Sequence, residues 1–451
     1  MKKNLVRTLS VMALSASVLL SACSNSSSGN VSNTKINKGD TEKAAGGKET
    51  VTFWAAAVTP ERDGFFKQIV QDFEKQNPNI TVNYLGVPGD LSAYEQKVNV
   101  AMSAGQAPDI TNDFNSDLIA RGVLEPIDDY FNKWSEKDKI NPVTVQSVKS
   151  LDPKGGKMYA LPYSEQAWNV WIRPDWFKQD NIEIPQKWNQ FFTATQKLTN
   201  KSKGQFGLSI RGGAGSANTL EMLMYSYSGI TNYFTKDGKS TINNPKNVEF
   251  VEKYLGQYNV TTPEDDINKG WTELAATFQS GKAAMVVHNL GSASSHDKAF
   301  GGDQSKYMAI PFPKSVKGTE VHPQPGPLGL TMSKSAKYKD AVWKFMTYYL
   351  SKDVNSAYGK LYGEIPANLD AASDTWVQDL PYMKMGAQLF NSKETKFTDN
   401  PYYLPGYTVV QKKVEPMIQE VMAKKMTAKE LLDQWADLLT QEKANYDASH
   451  K

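Results

Sequence analysis

A chain of 451 residues exceeds what one hydrophobic core holds together, so two domains or lobes are expected. Its 51 Lys and Arg stand against 48 Asp and Glu, and the whole excess sits in Lys2, Lys3 and Arg7. Without those three the charge is balanced, which gives no support to nucleic-acid binding, and with four His and one Cys neither dense metal sites nor an organic cofactor is expected. Ten Trp and 21 Tyr make the chain rich in aromatics; most belong in a core, and those placed in turns are the ones to question.

The basic front is followed by an apolar run from Leu9 to Leu20 and then Leu20-Ser21-Ala22-Cys23. That order marks residues 1–22 as a secretory signal, and the run is shorter than the about 20 apolar residues of a membrane span. The last four residues resemble the lipobox of bacterial lipoproteins. The resemblance implies that Cys23 is lipidated on sulfur and becomes the first mature residue, and a lone thiol without a disulfide partner fits such an attachment point. Buried acyl chains hold a protein at a membrane by roughly 0.8 kcal/mol per CH₂. Residues 23–50 carry almost nothing apolar, so the segment beyond Cys23 reads as a flexible tether.

The body begins near residue 51. Thr50–Trp54 reads as a strand. Phe65, Phe66, Ile69, Val70 and Phe73 recur at helical spacing and predict a helix over 63–76, stopped by Asn77-Pro78-Asn79. Ile80–Tyr84 is the next strand. Ser92 and Glu95 suggest a capping box for a second helix, ended by Gly105. Strand, helix, strand, helix, strand is the α/β pattern of a parallel sheet. Further along, Tyr159–Pro162 and Trp168–Arg173 look extended, Trp188–Thr199 helical, and Phe206–Ile210 and Ala284–His288 like buried strands. Thr272–Ser280 predicts a helix closed by Gly281, and Tyr338–Leu350 is amphipathic. Pro416–Lys425 and Thr427–Lys443 are two late helices, the second opened by a Thr427/Glu430 capping box.

These segments together carry a family. Val51-Thr52-Phe53-Trp54, Phe73–Val82, Ala104–Ile110 and Gly122–Ile127 resemble, in order, the first lobe of the solute-binding proteins of carbohydrate ABC importers, the maltose-binding-protein-like group. Lys157–Pro162, Ile184–Trp188, Phe278–Met285 and Gly363–Asn368 continue the match. The resemblance implies an α/β, two-lobed periplasmic-binding-protein-like fold with a hinge and an inter-lobe ligand cleft. It implies crossings near 160–165, 312–326 and 350–356. The first lobe would hold 51–162 and about 318–352; the second would hold about 163–317 and 353–451. Hinge closure needs only a few residues to absorb the backbone change. The implied partners are a carbohydrate, the permease subunits of an ABC transporter and, through the lipid, the cell membrane. A monomer outside the cytoplasm of a Gram-positive cell is expected.

A neutral sugar needs planar hydrogen-bonding groups and aromatic platforms, placed in turns at strand C-terminal ends. Trp54 and the following turn, with Thr59, Glu61 and Arg62, are the first candidates; the plainer readings are core packing for Trp54 and helix-start solvation for the charges. Asn112, Asp113 and Phe114 form the densest polar-plus-aromatic turn of the N-terminal half, and by resemblance fall at a sugar-contacting loop. Asp109, after Pro108, reads instead as a structural turn former. Tyr163, Glu165 and Trp168 stand at the first crossing, where Glu165 offers two acceptors. Trp271 is expected outside regular structure, as a stacking ring. His288 and Asn289 follow a buried strand at a turn where many relatives carry a stacking Trp. This chain has none there, so that role is not carried over. Gly326, in Pro325-Gly326-Pro327, matches a segment that brings backbone near the ligand, and Tyr362 completes the set.

An extracytoplasmic glycosidase or lyase is the main rival. Asp128-Asp129 and Asp265-Asp266 suggest it, but adjacent acids seldom flank a bond from opposite sides. Neither Gly-x-Ser-x-Gly nor His-Glu-x-x-His occurs. The same fold binding ferric ion, through Tyr348-Tyr349 or Tyr402-Tyr403, or a polyamine is a second rival. A sensor's co-receptor is a third.

Overall fold

The structure, a computed structural model, describes residues 48–56, 58–88, 91–112, 116–326 and 328–450, without the side chains of 91–93. Cys23 and residues 24–47 of its tether, and Asp113 and Phe114, lie outside the described residues; Glu49 and Thr50, expected as the end of the tether, belong instead to the first strand. Twelve strands are described: β1 (Glu49–Ala55), β2 (Ile80–Gly86), β3 (Ile110–Thr111), β4 (Ala160–Pro162), β5 (Ser164–Glu165), β6 (Trp168–Ile172), β7 (Met285–Asn289), β8 (Met308–Ile310), β9 (Glu320–His322), β10 (Gly329–Met332), β11 (Ile365–Pro366) and β12 (Thr395–Phe397).

β1 buries Val51, Phe53 and Ala55 and leaves Thr52 and Trp54 half-buried between them, the period-two pattern of a strand with one covered face. The helix behind it runs Pro60–Gln76, with Thr59 as N-cap accepting from the Arg62 N–H and Pro60 at the first helical position. It presses Phe66, Ile69, Val70 and Phe73 onto the sheet. β2 and β3 flank β1 in parallel, and β10 enters antiparallel between β3 and β4. Asp109 ties the edge of β1 to the turn before β3: the Thr52 N–H and hydroxyl both donate to its Oδ2 at 2.8 Å. This is the structural part expected of it.

The second sheet, in the order β7-β6-β8, is antiparallel throughout. Val170 and Ile172 of β6 face one apolar cluster and Trp171 faces another. A separate first cluster gathers β1, β3, β4, β10 and the helix Lys339–Tyr349. Tyr358 and Ala367 also pack in that first cluster, so the chain after residue 356 still leans on the core of β1 and β4. Among the described residues no helix is long and apolar enough to cross a membrane.

Several local expectations change. Phe206–Ile210 forms only isolated bridges, Phe206 to Ala283 and Ser209 to Val286; its carbonyls and amides are shared between β7 and loops. Ser92 lies inside the helix Leu91–Ser103, not at its cap. The helix expected from Pro416 runs Tyr407–Met422 with Pro416 inside it; burial of Val410, Val414 and Ile418 outweighs the missing N–H. Trp271 opens the helix Trp271–Gln279 instead of preceding it. The Thr427/Glu430 box does cap Ala428–Ser449, with Glu430 N–H on Thr427 Oγ1 at 3.1 Å and Thr427 N–H on Glu430 Oε2 at 2.9 Å.

Candidate functional site

The turn after β1 is shaped by Asn112, which stands just beyond β3. The Ala56 N–H donates to Asn112 Oδ1 at 2.8 Å, and the Tyr163 hydroxyl donates to the Asn112 carbonyl at 2.8 Å. Both Asn112 and Tyr163 are buried; they position the turn more than they offer groups to solvent. Trp54 is half-buried against Val87, Tyr94 and Val98, with the Lys97 ammonium 5.6 Å from its ring. The Thr59 side chain is occupied by its capping bond at 3.3 Å, and Glu61 is exposed. Arg62 lays its guanidinium 3.8 Å over the Tyr362 ring, a cation–π contact that fixes a planar donor at the cleft side of the helix start.

At the crossing, β5 pairs antiparallel with β11. Glu364, just before β11, accepts from the Ser164 hydroxyl and from Gln166 Nε2 at 2.9 Å. Burial raises its carboxyl pKa, opposed by those two bonds and by Arg62. Gln166 Oε1 in turn accepts from Asn289 Nδ2 at 3.2 Å, and Asn289 Oδ1 accepts from the Gly291 N–H at 3.0 Å. Glu165 behaves otherwise. It is 1% exposed, neither carboxyl oxygen has a partner among the described residues, and burial alone pushes its pKa well above the usual range. As it stands it is a buried acid, not a pair of exposed acceptors.

The second wall is aromatic. In the β6–β7 register Trp168 faces Asn289 and Asn169 faces His288. Trp168 meets Trp271 edge to face at 5.6 Å, and the Trp271 and His288 ring centroids are 3.2 Å apart. His288 Nε2 lies 3.3 Å from the Trp271 carbonyl, which makes it the donor nitrogen. Burial drives the His288 pKa down to about 3, so the ring is neutral at pH 7. Arg211 sits 5.5 Å from the Trp271 ring and donates through Nε to the Ala214 carbonyl at 2.6 Å. The loop carrying it is held tight: a Cβ at Gly212 would lie 2.6 Å from the Asp266 carbonyl. Asp266 itself accepts from Ser209, Ile210 and Lys269, so this half of the Asp265-Asp266 pair is a structural anchor.

A continuous path of contacts therefore runs from Ala56 through Asn112 and Tyr163 to the crossing. From there it passes through Glu364, Gln166 and Asn289 to the Trp168–Trp271–His288 cluster. Arg62 joins it from the first helix and Tyr362 from the end of the helix Lys352–Tyr362. Gly326 is exposed and stands apart from this path, with its neighbour Pro325 bonded to Ser147 at 2.7 Å. Sequence reasoning missed Gln166, Glu364 and Arg211 as site groups. The run Arg211-Gly212-Gly213 was a usable signal, since paired glycines often permit close backbone approach; Gln166 and Glu364 gave none, because their partners are far along the chain.

Half-buried rings beside amide and guanidinium groups suit a ligand with apolar faces and many hydroxyls. Comparison with known proteins agrees with this architecture. The multiple sugar-binding protein of Streptococcus mutans is 22% identical over 86% of this chain and 90% of its own. The arabinooligosaccharide-binding protein of Bacillus subtilis is 23% identical over 80% and 85% respectively. The sugar-binding protein MalE of Xanthomonas citri superposes with a TM-score of 0.74 at 16% identity, covering 89% of this chain and 99% of that one; its likeness shows the two-lobed fold. Residues 56–356 match the family model for bacterial extracellular solute-binding proteins, and the chain belongs to that family.

Proposed function

We propose that this protein captures a neutral carbohydrate, an oligosaccharide in preference to a monosaccharide, between its two lobes and delivers it to an ABC permease without turning it over. The observation that carries the reading is the belt joining Gln166 and Asn289 to the Trp168–Trp271 pair. It sets hydrogen-bonding amides beside ring faces, and Arg62 over Tyr362 adds a donor from the opposite side. The names of the Streptococcus and Bacillus relatives favour the same ligand class. Residues 51–162 with about 318–352 form the first lobe, and about 163–317 with 353–451 the second. Cys23 carries the lipid that holds the protein outside the membrane of a Gram-positive cell, next to its permease. The protein acts as a monomer.

Thermal-shift screening with defined plant and bacterial glycans tests the reading. A ligand at about a hundred times its Kd stabilises the folded state by about 2.7 kcal/mol. At least one neutral oligosaccharide is expected to raise the melting temperature in this way, and a panel in which none does would sink the proposal. Appearance of new sugar products on incubation would refute the absence of turnover. Cys23→Ala is expected to release the protein into the medium.

A further inference from the structure

A second cavity, of about 360 Å³, lies in the second lobe away from the cleft path. Its wall includes Trp188, Phe192 and Tyr227, and its rim carries Lys187, Lys253 and Lys314. No Asp or Glu is among the lining residues. The volume is at the lower end of small-molecule pockets.

Among the lining side chains, Trp188 has an indole N–H without an acceptor among the described residues, and Lys187 and Lys314 form no ion pair there. Trp188 itself is 2% exposed. Trp188 also opens the helix Trp188–Lys197, whose N-terminal end favours negative charge, with the Gln190 N–H already taken by Asn189 Oδ1 at 2.9 Å and the Lys187 N–H by Gln190 Oε1 at 3.0 Å. The segment that closes the cavity is pinned beside that helix start: Lys314 N–H donates to the Gln186 carbonyl and Val316 N–H to the Tyr227 carbonyl, both at 2.9 Å. This sets Lys314 against Lys187 across an isolated bridge. Neither of these lysines forms an ion pair among the described residues, whereas Lys253 is already held by Glu249 at 2.7 Å. Glu249 also takes Lys246 and the Tyr227 hydroxyl, and Glu320 lowers the positive field near Lys314, so the cationic excess is modest but real.

We infer that this cavity is a binding site for a small organic carboxylate with a flat apolar body. The ring fits against Trp188, Phe192 and Tyr227, and the carboxylate is taken by Lys187 and Lys314. An uncharged ring leaves the two lysines unanswered; a bare inorganic anion leaves the aromatic wall uncovered. The inference stands independently of what the cleft binds.

Titration of the whole folded protein with benzoate tests it, followed by ¹⁵N/¹H shifts of the Trp188 indole. Saturable binding is expected, with benzamide, the neutral counterpart, at least about tenfold weaker. Lys187→Glu/Lys314→Glu is expected to weaken benzoate by at least about tenfold while the melting temperature stays unchanged. Trp188→Phe removes the donor together with part of a buried ring, so its melting temperature is read beside its affinity, and it is expected to weaken benzoate about threefold. Equal binding of benzamide, an unmoved indole signal, or an undiminished affinity in the double variant would overturn the proposal. Binding of phosphatidylglycerol vesicles without binding of benzoate would also overturn it, since the surface would then be a membrane contact.

Discussion

The interior behind β1 and the interior behind β6 solve the same packing problem with different chemistry. The first is an aromatic relay: Phe53 and Phe66 meet edge to face at 5.5 Å, Phe66 stacks on Tyr349 at 6.3 Å, and Tyr349 leads through Tyr163 to the crossing. The buried polar groups around it, Asn77, Thr111, Asn112, Thr331 and Asn355, do not titrate. The second interior encloses ionisable groups. Glu221 accepts from the Tyr407 hydroxyl at 2.5 Å and Gln411 Nε2 at 2.6 Å, and burial pushes its carboxyl up to about 8. Asp266 and Asp399 are raised to about 6, while His288 and His296 are lowered to about 3, each mainly by burial. The contrast extends to the cleft. The first wall is set by side chains that hold backbone in place; the second presents rings. Backbone placement therefore dominates around β1, while the half-buried rings and most of the buried acids and histidines gather around β6.

The largest expected effect falls on the aromatic wall. Trp271→Ala should weaken the best glycan found by screening by about 2 kcal/mol or more, while the melting temperature moves little. Calorimetric titration checks this, and an unchanged affinity would remove the second wall from the site. On the first wall the pattern should invert. Asn112→Ala strips the buried Ala56 N–H of its acceptor and should lower folding stability by about 1–3 kcal/mol, measured in urea, with affinity falling as a consequence. If Asn112→Ala folds with full stability but loses binding, the division between the walls is wrong.

Titration of stability comes next. The native Glu221 holds a proton that the unfolded chain gives up above its ordinary value near 4.5. Its contribution is thus complete below that pH and is lost as pH rises through about 8, with a slope of at most about 1.4 kcal/mol per pH unit. Glu221→Gln should flatten that alkaline fall. The two histidines act in the other direction: their unfolded forms take up protons below about 6.5, so stability drops as pH falls from there toward 3. Urea melts from pH 4 to about 9 read both limbs; an alkaline limb that is the same in Glu221→Gln would clear Glu221 of the effect. The smallest change is expected from Arg62→Ala, which removes a half-exposed cation–π contact of about 0.5–1 kcal/mol and should appear as a few-fold loss of glycan affinity.

Much of this protein was legible before its fold. The helix face Phe66–Ile69–Val70–Phe73, the alternation in β1 and the Thr427 cap follow from neighbours within a few residues, whereas Asp109 was legible as a structural residue but its partner Thr52, 57 positions away, was not. The boundaries that moved did so where distant packing overrode a local cue. Pro416 is tolerated because its helix buries a stripe against the second core, and Phe206–Ile210 meets β7 only through isolated bridges because its amides also turn to Thr261 and Asp266. The site was half readable. Trp54, Trp168, Trp271, His288, Asn289 and Tyr362 were picked as residue types, and His288, which reads more often as a satisfied structural histidine, is a buried ring packed on Trp271, while Glu165 is a buried acid without a hydrogen-bond partner among the described residues.

By itself the sequence determined the family, the alternation of strands and helices, and the aromatic and amide residues available to a sugar. These are local, periodic or compositional properties, and they survive any arrangement of the segments. Only the tertiary structure decided which of those residues share a surface. Glu364 meets Gln166 across 198 positions, and Asn289 meets Gln166 across 123. Burial, and with it the charge state of Glu165, Glu221 and His288, depends on what the rest of the chain places around each group, and no window of sequence contains that information.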